Sequence, residues 1–540
     1  MTQSINFQDN IPSDFAKQNI QITVTLTPDL RLAQALKQAG IKKSSKISRL
    51  SIVGTLTDED FAYIRDHLYD HLQELDLGSA LLKDNKLSGN FFLFSNFTSL
   101  VLPESLVEIE YSAFSGCESL TSFHVHPNNP AYSSENGILF DKNKTKLIIF
   151  PETIQGDYLI PDSVNIIEDR AFEDCKGLTS VVIPNSVTEI GFCAFHGCIG
   201  LTSIVIPDSV IKIRKSAFYN CTALASITIS LSVTEIEPYS FFNCPACFDI
   251  HPDNPAYSSD NGIWFDKHKT VLFKYNQNLR GDYVIPDTVV EIGERAFQDC
   301  DGLKSVIIPE SVTKIGKVAF CGCTALTSII IPASVVELGE WTFAQCTALT
   351  SIAVHPDNPV FSSEDGILFN KLKTKLIDYP LRRQGDCIIP DSVIMIGERA
   401  FGNCAGLTSV FIPCSVEKID DCAFIRCSGL TSIVIPDSVT EIGNGAFAEC
   451  KMLSTVVISN SLKTINDAVF HDCPRLKSVN IPDSVMLIGE DAFLHCNLTS
   501  VYIPKSVDYI DNWAFDKKVF FTVHPDNPDY TSENGKLKRK

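Results

Sequence analysis

The chain has 540 residues, with 65 acidic against 45 basic side chains and a formal net charge of −20. That balance disfavours a nucleic-acid backbone or an anionic membrane as partner. No apolar run approaches the ~18 residues of a membrane span. The opening segment MTQSINFQDNIPSDF has no charged stretch followed by an apolar one, so no secretory signal is expected in the chain as given. This leaves either intracellular residence or a signal removed from the chain.

Residues 1–45 read as an N-terminal capping region. Within it, TPDLRLAQALKQAG (Thr27 to Gly40) spaces Leu32, Leu36 and Ala39 on one helical face and stops on glycine. Residues 46–101 read as the first, helix-bearing coils. ISRLSIVG and LQELDLGS give strand ends at Ile52 and Leu77, and DEDFAYIRDHLYDHL between them is an amphipathic helix.

Residues 102–523 repeat. IPNSVTEIGFCAFHGCIGLTSIV (from Ile183) returns as IPDSVTEIGNGAFAECKMLSTVV (from Ile435), and the Ile before Pro falls at 160, 183 and 206 and again at 389, 412 and 435. A fixed step of 23 residues marks a solenoid rather than the three or four domains that length alone suggests. Each unit has a physical reading. LTSIVIP carries Leu201, Ile204 and Ile206 on the L-x-x-L-x-L strand of a leucine-rich repeat, and Pro207 ends that strand for want of an N–H. Val187 and Ile190 should face in, and Phe195 and Cys198 should fill the next corner. The predicted fold is therefore one continuous leucine-rich-repeat solenoid. It has a parallel β-sheet of short strands, turns on the opposite side, and few helices except near the N-terminus.

Cysteine follows the repeat. Positions 117, 175, 198, 221, 244, 300, 323, 346, 404, 427, 450, 473 and 496 share one corner. Cys244-Pro-Ala-Cys247 has the spacing of a dithiol redox site, but Cys244 is one rung of this ladder. Cys247 is read as standing where other units place Leu. Reduced, buried thiols are expected, because stacked coils hold Cβ vectors parallel whereas a disulfide turns them together. His196, His471 and His495 lie one or two residues before ladder cysteines and are expected to point outward. No metal or other cofactor is expected.

Three units, beginning at His126, His251 and His355, are enlarged to 35 residues. GIWFDKHKTVLF reads as strand, turn, strand, a hairpin projecting from the edge and dispensable to the core, and the preceding HPDNP segment reads as a loop. A fourth copy, residues 524–540, is expected to be an incomplete coil that ends before its hairpin can form.

In LTSVVIP the fourth and sixth residues should point to the core and the third and fifth outward. The third is usually Ser. The fifth is apolar: Val182, Val205, Ile307, Ile330, Phe411, Val434, Val457 and Tyr502. An apolar column on a solvent face is the candidate partner-binding site, although β-propensity alone also favours such residues in strands.

The unit IPDSVTEIGxxAFxxCxxLTSI resembles the 23-residue repeat of the BspA-like leucine-rich-repeat proteins. The enlarged coils and the segment IVGTLTDEDFAYIRDHLYDHLQELDL are also similar to that family, and the likeness runs over roughly residues 20–535. The resemblance implies a cell-surface or secreted protein that binds host or other cell-surface proteins in adhesion, with cytoplasmic residence as the alternative. No phosphate-binding G-x-x-x-x-G-K-[ST], H-E-x-x-H or G-x-S-x-G motif occurs, so no enzymatic activity is expected. The leading readings are a surface adhesin and an intracellular protein-interaction scaffold. Glycan binding is a weaker third, because the only three Trp, at 264, 341 and 513, lie off the strand pattern.

Overall fold

The computed structural model describes residues 20–41, 47–68, 70–89, 91–92, 96–110, 113–114 and 116–540. The chain forms two compact units, Met1–Gly262 and Ile263–Lys540. Each is a parallel β-solenoid, and the described residues contain two α-helices, α1 (Leu32–Gln38) and α2 (Asp58–His67).

The first unit opens on strand Ile20–Thr25, which pairs in parallel with Ile47–Thr55 and begins a sheet continued by Glu74–Asp76, Ser99–Leu102 and Ser122–Val125. Ile20–Thr25, within the segment expected to cap the core, thus supplies the sheet's edge strand. Asp60, in α2, joins the two helices. It closes a capping box with Thr57 and accepts the backbone N–H of Leu32, at the start of α1, at 2.8 Å. Gly156–Leu159, Leu178–Val182, Ser203–Ile206, Ser226–Ile229 and Cys247–Ile250 form the next parallel sheet. Two-residue strands such as Glu189–Ile190 and Lys212–Ile213 make a second ladder. The second unit has the same construction, with face strands such as Leu407–Phe411 and Ser432–Val434 and short strands such as Lys418–Ile419 and Glu441–Ile442.

The repeat pattern explains this packing. Val187, Ile190, Ala194, Phe195, Cys198 and Leu201 of one coil are all fully buried. Phe172, Phe195 and Phe218 stack with ring centroids 4.7 and 5.1 Å apart, and Phe401, Phe424 and Phe447 repeat the stack at 4.7 and 5.0 Å. One coil alone cannot bury these side chains; its neighbours do. The corner before each Phe needs a residue in the left-handed region (Arg170, φ 62°; Cys193, φ 53°; Ser216, φ 58°). Backbone bonds to the next coil hold it there, as from Phe195 N–H to the Ala217 carbonyl at 2.7 Å.

All thirteen ladder cysteines are buried, and most donate their thiol hydrogen to a backbone carbonyl one coil back. Cys221 donates to Phe195 O at 3.1 Å and Cys427 to Phe401 O at 3.0 Å. Burial pushes the thiols of Cys198 and Cys427 well above the usual range, so they stay protonated donors. Cys247 corrects the sequence reading. The coil from Ile229 to Ile250 is two residues shorter than the 23-residue unit, and Cys247 pairs in register with Ser226 at the outward third position. Buried Ala246 lies just before it.

The enlarged coils also differ from expectation. The HPNNP segment is a loop, and a strand that the sequence reading missed follows it. Tyr132–Glu135 pairs antiparallel with Ile138–Asp141 across Asn136-Gly137, both with positive φ (51° and 82°), as a tight hairpin turn requires. Ile138–Asp141 then pairs with Lys146–Ile149, which runs parallel to Ile166–Ile167. The insertion is a three-stranded meander whose last strand joins the short-strand ladder. It contributes side chains to the core, where a hairpin projecting from the edge was expected: Leu139, Phe140 and Leu147 are buried, as are Phe265 and Leu272 in the second unit. In the fourth copy Tyr530–Glu533 and Lys536–Arg539 form the first of these hairpins, which precedes the one read from the sequence.

The asparagine of each HPDNP or HPNNP segment is fully buried. In the first unit Asn254 donates to the carbonyls of Ser230 and Val233 (2.7 and 2.9 Å) and accepts from Ala256 and Tyr257 N–H (2.9 and 2.8 Å). One side chain satisfies four backbone groups and pins the meander to the preceding coil.

Candidate partner-binding face

The face strands set the geometry. In Ser203–Ile206, Ile204 and Ile206 are buried and Val205 between them is 62% exposed. The eight residues picked from the sequence, Val182, Val205, Ile307, Ile330, Phe411, Val434, Val457 and Tyr502, are all exposed. Parallel register aligns them. Val434 lies beside Val457 in the second unit, and Val205 lies beside Thr228 in the first.

Three members of the column were missed. Leu159 pairs with Val182, Val284 with Ile307 and Ile388 with Phe411, and they are 66, 60 and 75% exposed. Each sits on the strand that follows a meander, where Gly-Asp replaces the usual Leu-Thr-Ser start. The Ile-Pro after each was the signal that could have placed them. With them, the column resolves into apolar runs. Leu159, Val182 and Val205 are followed by Thr228 and Asp249. In the second unit Ile388, Phe411, Val434 and Val457 follow the meander whose coil carries Ala353 at this position.

The aspartate that opens each run is fixed by hydroxyls. The Asp157 carboxylate accepts from Ser180 (2.7 Å) and Thr179 (2.8 Å), and Asp386 accepts from Ser409 (2.7 Å) and Thr408 (2.9 Å). These bonds, the serine's first, hold both carboxyls below their usual range, so they remain charged. On the first unit the face carries an open depression of about 540 Å3. Val182 and Val205 are among the apolar residues that line it, together with Asp208, Asp249 and His251.

The histidines near the ladder lie elsewhere. His196 is half-buried and stacks on Tyr219 at 5.2 Å, with Tyr219 stacking on Phe242 at 4.6 Å, and His471 meets His495 edge-on at 5.4 Å. Among the described residues no group of three His, Cys, Asp or Glu could hold a metal ion, and no helix is long and apolar enough to cross a membrane.

Stacked short strands, Phe and Cys corners and an outward column of side chains define a leucine-rich-repeat solenoid. The chain belongs to the BspA type leucine rich repeat family, whose profile matches residues 85–157, 156–254, 269–380 and 386–521. Among solved structures it is similar to a leucine rich cell surface protein of Faecalibacterium prausnitzii (27% identity, 74% of this chain and 96% of that one, TM-score 0.42). A leucine-rich repeat protein of Bacteroides ovatus is also similar (27%, 73% and 91%, TM-score 0.32), as is the pneumococcal vaccine antigen PcpA (19%, 74% and 89%, TM-score 0.35). No curated protein matches the chain.

Proposed function

We propose that this protein is a non-enzymatic, protein-binding solenoid that acts at the cell surface as an adhesin or host-interaction protein, with the apolar column of the strand face as its docking surface. The observation that carries the proposal is the exposure of that column: Ile330 is 63% exposed and Phe411 60%. Strand propensity favours branched residues whatever they face, but exposed apolar side chains at successive rungs also form a patch of the kind that marks partner sites. Large aromatics such as Phe411 are frequent anchors. Membership of the BspA type family supports the surface role.

An intracellular scaffold is the second reading. It is favoured by the free cysteines, with Cys414 exposed, since free thiols persist best in a reducing compartment. Antibody labelling of intact against permeabilised source cells separates the two. The docking surface is tested with Ile330→Ser, Phe411→Ser, Val434→Ser combined. This variant should keep its circular dichroism and lose adhesion to host or self surface proteins. Full adhesion by the folded variant would remove the column from the site.

A further inference from the structure

Charge on two stretches of the strand face is one-sided. In the first unit the strands Gly156–Leu159, Leu178–Val182 and Ser203–Ile206, read through their Pro-Asp or Pro-Asn turns, carry Asp157, Asp162 and Asp208 and no Lys or Arg. In the second unit Gly385–Ile388, Leu407–Phe411 and Ser432–Val434 with their turns carry Asp386, Asp391 and Asp437, again with no Lys or Arg. Lysines of the short strands are paired there: Lys212 with Glu235 (2.9 Å), Lys314 with Glu291 (2.9 Å), Lys418 with Glu441 (2.6 Å). The face carboxylates lack such partners. Asp157 and Asp386 are bound by hydroxyls, and Asp437 by the amide of Asn460.

Apolar residue and carboxylate share one surface. Val182, Val205, Asp208 and Asp249 line the same depression. The face therefore offers a row of apolar side chains at ~4.8 Å per rung, bordered by negative charge.

We propose that this face recognises a cationic amphipathic protein segment, one that presents apolar side chains flanked by lysine or arginine. The inference rests on the docking surface proposed above and adds the chemistry of the partner. A neutral apolar partner would gain nothing from the carboxylates, and an acidic one would meet uncompensated repulsion. The runs beginning at Leu159 and Ile388 each follow a meander with the same Gly-Asp start and carry no cation on their strands, so they are equivalent sites for a repeated ligand, whereas the run beginning at Val284 has Lys304 on its second strand.

The test uses the full chain and labelled peptides of alternating Leu/Lys, Leu/Glu and Ser/Lys, read by fluorescence anisotropy at low and high salt. The Leu/Lys peptide should bind best, and salt should weaken it. Leu159→Ser, Val182→Ser, Val205→Ser combined with Ile388→Ser, Phe411→Ser, Val434→Ser should weaken it by roughly ten-fold or more, the scale for losing several apolar contacts. Asp208→Asn, Asp249→Asn, Asp391→Asn and Asp437→Asn combined should also weaken it. Glu417→Gln with Glu490→Gln, exposed carboxylates outside the face strands, should not. Binding best to Leu/Glu, but lost with the serine variant, would overturn the cationic partner and leave the docking surface standing. Leu/Lys binding unchanged by the serine variant would overturn the surface itself. An equal loss from the Glu417 and Glu490 changes would reduce the effect to net charge and overturn the proposal, as would no binding of the Leu/Lys peptide.

Discussion

Cys198 gives its thiol hydrogen to the carbonyl oxygen of Phe172, one coil back, at 3.0 Å. The cysteine ladder is thus a column of hydrogen bonds as well as a column of small buried side chains. Cys198→Ala removes a donor and leaves a void, and should cost ~2–3 kcal/mol. Cys198→Ser keeps a donor and should recover part of that loss. Denaturant unfolding followed by circular dichroism measures both. Equal losses would show that the bond contributes nothing. With a thiol reagent, exposed Cys414 should react at once, and the ladder cysteines only on unfolding.

The buried asparagines make a sharper demand on side-chain chemistry. In the second unit Asn358 donates to Pro332 O and Val335 O, both at 2.8 Å, and accepts from Val360 and Phe361 N–H. Asn358→Asp is nearly isosteric but places a carboxylate oxygen against two carbonyl oxygens. The expected loss at neutral pH is ~3–5 kcal/mol, the scale of an uncompensated buried charge. Part should return in acid, where the protonated form regains one donor. Thermal melting of this variant at pH 4.5 and 7.5 checks the sign; a loss independent of pH would point to packing instead.

Repetition made the core legible. The roles of Phe195, Cys198 and Val187 could be read because each recurs with a fixed step and falls where only burial explains it. The same repetition concealed local departures. Cys247 was misplaced because a two-residue contraction between Cys244 and the strand shifts its register, and aligning cysteines cannot see that. Tyr132–Glu135 was not read as a strand because Ser133, Ser134 and Glu135 have weak strand preference. Cross-strand pairing and the Asn136-Gly137 turn hold it. The outward column was legible from alternation, but the Gly-Asp strands broke the pattern and hid Leu159, Val284 and Ile388.

Two carboxyls should make stability depend on pH in an unusual direction. Burial pushes Asp378 up to about 7. Burial, with Asp174 and Glu118 nearby, pushes Glu152 up to about 7. The unfolded chain releases both protons near pH 4, while the folded chain keeps them until about 7. Their contribution is therefore fully present below pH ~4 and is lost as pH rises toward 7. Asp157 and Asp386, held low, act oppositely and contribute only above their unfolded values. Comparing Tm from pH 4 to 8 in Asp378→Asn and the parent isolates the first effect. The variant should gain on the parent as pH rises, and parallel profiles would refute the assignment.

The meanders should prove structural. Ile263–Asp266 and Val271–Lys274 bury Ile263, Phe265 and Leu272, and Val271–Lys274 is the strand on which Glu291–Ile292 pairs. Removing residues 263–273 would uncover the edge of Ile292, which pairs with Leu272, and cut the chain just before Tyr275, which stacks on Phe297 at 4.8 Å. Phe265→Ala should cost ~3–5 kcal/mol, and the deletion should unfold the coils beside it, although a repeat array can retain more distant ones. Leu372→Ser, at a meander turn and 77% exposed, should stay within about 0.5 kcal/mol of the parent. Hydrogen exchange resolves the cases. Loss of protection from Ile285 to Ile315 is expected in the deletion and native protection in Leu372→Ser. Native protection in the deletion would return the meanders to the role of surface decoration.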